Sequence, residues 1–166
     1  MDYNRGRGEL YMNEINQLYQ KHVEHELTLS QTKENALLHK DKVEIKILAF
    51  LSDLGNVADQ SQCFSFWDKY AKVDSNELKE AYINGLQMLL SVGFELHVDA
   101  LKNQIQLENN LSLPKQFLKV YESVLKIQTT FNFEDYQNSI EDYFSLGAKL
   151  GFSFEDILAQ YQHTFR

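Results

Sequence analysis

Proline occurs once in this chain, at Pro114, and glycine only seven times, while apolar residues recur along most of the sequence at intervals of three and four. Proline and glycine punctuate helices and tight turns, so a chain this poor in both is suited to long helices and not to many short strands. The expected architecture is all-α, an antiparallel helical bundle of about six helices. With 166 residues the chain suffices for one core that removes roughly two thirds of the unfolded surface from water.

The first stretch, MDYNRGRGELY over 1–11, is polar and glycine-containing, and Met12 reads as a second plausible start. Residues 1–11 are expected to form a weakly ordered arm, with a single domain over 12–166. Ile15, Leu18, Tyr19 and Val23 set a first helix to about Leu27. A second begins near Asp41, with Ile47, Leu48, Leu51, Leu54 and Ala58 as its apolar stripe. Asp74 or Ser75 could cap a third over 76–96. Its segment Leu86 to Phe94, LQMLLSVGF, is apolar nearly all round, which suits a bundle core or a subunit contact. Ser112 and Pro114 open a fourth helix carrying Phe117, Leu118, Tyr121, Val124, Leu125 and Ile127. Asn132 with Asp135, and Ser153 with Asp156, mark the starts of a fifth and a sixth, and Gly151 ends the fifth.

The formal net charge of −8 argues against nucleic acid, since gripping phosphate backbones requires clustered Lys and Arg. The single cysteine, Cys63, cannot form an internal disulfide, and without a histidine and acid framework around it a small apolar packing role is expected. The sequence shows neither a signal-peptide core nor an apolar run of membrane-spanning length, which excludes a membrane segment and points to the cytoplasm.

The second and third helices hold the most specific pattern. From Ile47 the sequence reads ILAFLSDLGNVADQSQCFSFWDK, and from Glu80 it reads EAYINGLQMLLSVGFEL. Without gaps, these blocks resemble the paired helices of the dimeric dUTPases, members of the all-alpha NTP pyrophosphatase superfamily together with the MazG proteins. There the first helix carries ELGE followed by an FKFWS-like segment, and the second carries an EExxD-like run before GLHFLLSLGLEL-like residues. DYQNSIEDYFSLGAKLGFSFEDILAQYQ resembles the family's last two helices, so the likeness runs from about Leu18 to Tyr161.

In that family, two carboxylates three residues apart on one helix face two more on an antiparallel neighbour. Together they hold Mg²⁺ ions that clamp the nucleotide phosphates and activate the attacking water. Carried over by resemblance, the four ligand positions are Asp53, Asn56, Ala81 and Asn84, of which only Asp53 is charged. Amide oxygens can ligate hard cations but bring no charge, and Ala81 brings no ligand. The family's basic and amide-rich tail, of the KNxxNxxRQ kind, is also not matched, the sequence here reading QYQHTFR to Arg166. Together these departures lead us to expect a protein that has lost Mg²⁺-dependent dUTP hydrolysis, with no catalytic residue and no cofactor unless a residual or rearranged Mg²⁺ site exists.

Without the family match, Asp53, Asn56, Ala49 and Gln60 would be an ordinary polar face of the second helix. Asp59 and Glu80, one turn from Asn56 and Asn84, could contribute to a displaced metal site, although solvated acids are the simpler reading. The resemblance sets Gln20 near a family glutamine that recognises uracil, and Phe66 and Trp67 in the aromatic segment beside the nucleotide pocket. They could still stack on and hydrogen-bond a base, yet core packing explains the aromatics at least as well. Lys69 could meet a phosphate. His22 and His25 share metal-binding spacing but have no third ligand, which favours a solvated face. Three functions remain: a silent dUTPase homologue that binds a nucleotide or a protein, an active enzyme with a rearranged site, and a purely structural or partner-binding helical protein. A homodimer is implied by the resemblance.

Overall fold

The computed structural model describes residues 5–30, 39–102, 105–107 and 110–164, with backbone alone for residues 5–13, 30 and 39. Among the described residues, six helices follow one another: α1 (Arg5–Ser30), α2 (His39–Ser61), α3 (Ser75–Glu95), α4 (Leu113–Thr130), α5 (Phe133–Lys149) and α6 (Phe154–Thr164). The all-α bundle expected from the sequence is present. α1 begins at Arg5, ahead of Met12, so the backbone is helical across much of the stretch expected as a polar arm. Once a helix is nucleated, each further residue adds one hydrogen bond, and two glycines at about 1 kcal/mol each do not stop it.

Local chemistry sets most boundaries. Asp74 Oδ1 accepts from the backbone N–H groups of Asn76 (2.9 Å) and Glu77 (3.1 Å), so Asp74, not Ser75, caps α3. Asn132 Oδ1 accepts from Asp135 N at 3.0 Å to open α5. Ser153 and Asp156 form a reciprocal capping box before α6, both bonds at 3.1 Å. Ser112 precedes α4 without a side-chain cap, and Pro114 follows in the first turn. Gly151 takes φ +88° just beyond α5, and Phe152 N–H donates to Gly147 O at 3.0 Å, the six-to-one bond of a Schellman ending.

Helix directions follow from the contacts. Lys46 of α2 meets Glu95 of α3, and Asp53 lies against Gly85, so residue numbers rise on one helix as they fall on the other. α4 and α5 are likewise antiparallel, since Lys119 pairs with Asp142 and Lys126 with Asp135. α3 and α5 run antiparallel through Tyr82 with Tyr143 and Leu89 with Tyr136. α2 to α5 thus form the inner antiparallel set, and α1 and α6 pack on α3.

Glycines and tyrosines interlock α3 and α5. The rings of Tyr82 and Tyr143 stack at 4.5 Å, and each hydroxyl donates to the other's backbone carbonyl, at 2.9 and 2.6 Å. Tyr136 donates to Leu89 O at 3.0 Å. The rings of Tyr143, Tyr136 and Tyr82 pass so close to Gly85, Gly93 and Gly147 that a Cβ there would collide with the phenol. Burial holds these hydroxyls protonated far above the ordinary tyrosine range.

The apolar faces depart from the sequence reading in several places. The buried side of α2 is Val43, Ile47, Phe50, Leu54 and Val57, whereas Leu48 is 70% exposed. On α4 the buried residues are Phe117, Val120, Val124 and Ile127, with Leu118 (67%) and Leu125 (46%) exposed. Both helices carry more apolar residues than one side can bury, so spacing alone could not choose the inner set. In α3, Leu86, Leu89, Leu90 and Val92 are buried inside the chain, so the segment's apolar surface is taken up by its own core.

Candidate functional site

The α2–α3 seam carries the four positions singled out by the family pattern. The antiparallel register that sets Asp53 against Gly85 brings Asp53 level with Asn84, and Asn56 level with Ala81. The positions therefore fall on facing turns of neighbouring helices. Their chemistry differs sharply. Asp53 is half-buried, and desolvation raises its carboxyl pKa. Asn56 and Asn84 are exposed. Ala81 is buried at 3% exposure, as part of the hydrophobic core.

Asp53 lies near the Tyr143 hydroxyl. Burial is the main cause that keeps the Tyr143 hydroxyl protonated, with the neighbouring Tyr82 and the charge of Asp53 adding to it. A divalent ion here would meet one carboxylate, two neutral amides and a methyl group. That donor set does not fit a Mg²⁺ cluster of the four-carboxylate kind. Asp59 and Glu80 are both exposed. Among the described residues, no group of three His, Cys, Asp or Glu side chains is placed to hold a metal ion.

Gln20 is engaged with the protein's own backbone. Its Nε2 donates to Asp99 O at 2.7 Å, next to Tyr19, whose hydroxyl donates to Val98 O at 2.5 Å. Asn16 completes this stitching by exchanging two bonds with the backbone of Leu101, at 3.0 and 2.8 Å. One face of α1 therefore holds residues 98–101, a stretch whose structure could not be read from the sequence.

Phe66 and Trp67 do not pack the core. They are 93% and 66% exposed, on a run of turns after α2. Ser65 N bonds Gln62 O at 3.2 Å, Asp68 N bonds Ser65 O at 3.1 Å, and Asp68 Oδ1 accepts from Tyr70 N at 2.9 Å. These bonds hold the backbone while the rings project, Phe66 meeting Trp67 edge-on at 4.9 Å. Lys69 is exposed on the same run, and Cys63 at its start is half-buried against the core.

His22 is a correction to the expected solvated face. It is 3% exposed and joins three helices: Nδ1 lies 2.8 Å from the Tyr161 hydroxyl, and Nε2 lies 2.7 Å from Ser91 Oγ and 3.2 Å from Glu26 Oε1. Ser91 also donates to Glu26, and Lys46 bridges Glu26 (3.4 Å) and Glu95 (2.9 Å). Burial by itself would raise the Glu26 pKa. The hydrogen bonds from His22 and Ser91 and the Lys46 ammonium outweigh it and bring it down to about 2. His22 is separated from its partners by 69 and 139 residues, so local pattern held no signal for this network. The only local hint was the pair His22 and Glu26, one helical turn apart.

No curated protein and no solved structure matches this chain. The family model described as dUTPase matches residues 12–165. That span takes in the α2–α3 seam, the aromatic turns and the last helix, and the six-helix all-α fold agrees with it. The chain belongs to the all-α dUTPase family.

Proposed function

We propose that this protein keeps the dUTPase fold without Mg²⁺-dependent dUTP hydrolysis, and that it acts, as a cytoplasmic homodimer, by binding a nucleotide or a protein partner. The observation that carries this reading is the seam itself: across four family ligand positions there is one carboxylate, half-buried and raised in pKa, and one position absorbed into the core. A substrate triphosphate would add several negative charges that only bound metal could neutralise.

The exposed rings of Phe66 and Trp67 support a binding role. Large aromatics left in water by a chain that buries Phe50, Tyr82 and Tyr143 completely are available for stacking. Gln20 contributes less than the family pattern implies, because its amide N–H already serves Asp99.

Trp67 is the only tryptophan, so its fluorescence reports on this surface alone. Titration with dUTP in the absence of Mg²⁺ should quench it saturably if a base stacks there, and Phe66→Ala should weaken the response. An unchanged signal would assign the binding role to a protein partner instead. Steady Mg²⁺-dependent release of diphosphate would overturn the proposal.

A further inference from the structure

A cavity of about 230 Å³ opens where α1, α5 and α6 come together. Phe144 and Ala148, one turn apart on α5, line one wall, and Phe154 and Ile157 of α6 line another. Gly151, at φ +88°, turns the chain between these helices, and Phe152 just after it also faces the space. Ile15 of α1 adds to the lining, and Leu107 reaches it from a stretch without helical structure. Phe144, Phe152, Phe154 and Ile157 are each at most 9% exposed, so the cavity extends into the core. The void is local, because elsewhere on α5 the tyrosine rings press on α3 glycines with no space to spare. Among the described residues, the lining includes none of the four seam positions, nor Gln20, Phe66 or Trp67.

We propose that this cavity is a binding site for a small uncharged apolar molecule, a two-ring aromatic or a medium-length alkyl chain, separate from the nucleotide or partner surface proposed above. Size and dryness set the class. An apolar cavity of about 150 Å³ stays free of water and accepts a benzene ring, so 230 Å³ has space for a second ring. The one polar side chain in the lining is Ser153, whose N–H and Oγ are both committed to the capping box with Asp156. Its O–H is left to offer a single hydrogen bond at the rim, which suits a ligand with one neutral acceptor. Charges of both signs flank the lining residues along the chain, Lys149 after Ala148 and Glu155 with Asp156 after Phe154, so neither sign selects a charged head. The apolar surface is also too confined for a protein partner. Leu107 is the one exposed large hydrophobic in the lining, whereas a stable protein interface takes ~800 Å² from each side.

The probe is N-phenyl-1-naphthylamine, a neutral two-ring dye whose emission rises in a dry site. Titrated into the full chain, it should bind saturably at one dye per chain. Ala148 is exposed yet lines the cavity, so Ala148→Phe should fill the space from its rim, keep its helical circular dichroism and weaken the dye at least about 10-fold. Ala148→Leu provides a smaller filler should the ring disturb folding. Tyr70→Ser, on the exposed aromatic turns, should leave binding unchanged, which separates the cavity from dye adsorbed on those rings. Decan-1-ol should displace the dye at concentrations at least about 10-fold lower than decanoate. The absence of saturable binding would overturn the small-molecule site and leave the cavity to an apolar side chain of a protein partner. Unchanged affinity in folded Ala148→Phe and Ala148→Leu would overturn the assignment to this cavity, and decanoate competing as well as the alcohol would overturn the uncharged class.

Discussion

The two sides of α3 are built on opposite principles. Toward α5, tyrosine rings lie over glycines and donate to carbonyls in the middle of the facing helix, leaving no space and no free hydroxyl. Toward α2, three of the four family positions, Asp53, Asn56 and Asn84, are half-buried or exposed, and the fourth, Ala81, is buried. In an enzyme of this family the second side would carry repelling carboxylates held by metal. Four acids about 4 Å apart cost a few kcal/mol per pair at an effective dielectric near 20. Under the proposed loss of the site, replacing them would relieve that repulsion without touching the α3–α5 lock. On the proposed reading, the chain departs from the family's chemistry on one side of α3 and keeps the family's fold through the other.

If the α3–α5 side carries the stability, Tyr143→Ala should have the largest effect. It removes a stacked ring and a hydrogen bond from a fully buried place, at about 3–5 kcal/mol. Differential scanning calorimetry should register a melting temperature lower by on the order of 10 °C. A loss of only a degree or two would break the comparison.

The α1–α3 network comes next. Glu26 has a folded pKa of about 2 against 4.5 unperturbed. Its contribution is therefore fully present above about pH 4.5 and is lost as pH falls through about 2. The shift corresponds to on the order of 3 kcal/mol. In urea melts, Glu26→Gln should be destabilised at neutral pH, and the gap to wild type should close between about pH 4.5 and 2. A gap constant across that range would remove Glu26 from the account.

Gly93→Ala should cost about 1–3 kcal/mol, because the added Cβ meets the Tyr136 ring, even though alanine favours a helix by about 1 kcal/mol. Tyr136→Phe in the same background should not rescue it, since ring carbons as well as the hydroxyl lie in the way. Smallest of all should be Asn56→Ala and Asn84→Ala, each within about 0.5 kcal/mol by chemical denaturation, because both side chains are exposed. Losses above 2 kcal/mol there would mean that the seam is a structural element in its own right.

What could be read from the sequence was short-range. Asn132 with Asp135, and Ser153 with Asp156, declared helix starts because a cap acts within one turn. The facing of Asp53 and Asn56 with Ala81 and Asn84 was legible only through the family pattern, since no helical period reveals which helix is a neighbour. Surplus apolar residues misled the face assignment at Leu48, Leu118 and Leu125, where an outer stripe mimics an inner one. Phe66 and Trp67 could be read either as a base-stacking segment or as core, and their turns hold them outside the core. His22 read as surface because its partners Ser91 and Tyr161 arrive from distant helices. Gln20 was placed correctly on α1, but its bond to Asp99 O depends on a loop with no periodicity.

The central claim is most directly tested by isothermal titration calorimetry with dUTP and a non-hydrolysable analogue, with and without Mg²⁺, alongside an assay for released diphosphate. The account predicts no diphosphate release and no gain in nucleotide affinity from Mg²⁺. Metal-dependent binding accompanied by turnover would contradict it, and would mean that Asp53 and other oxygens on the seam assemble a working site despite Ala81.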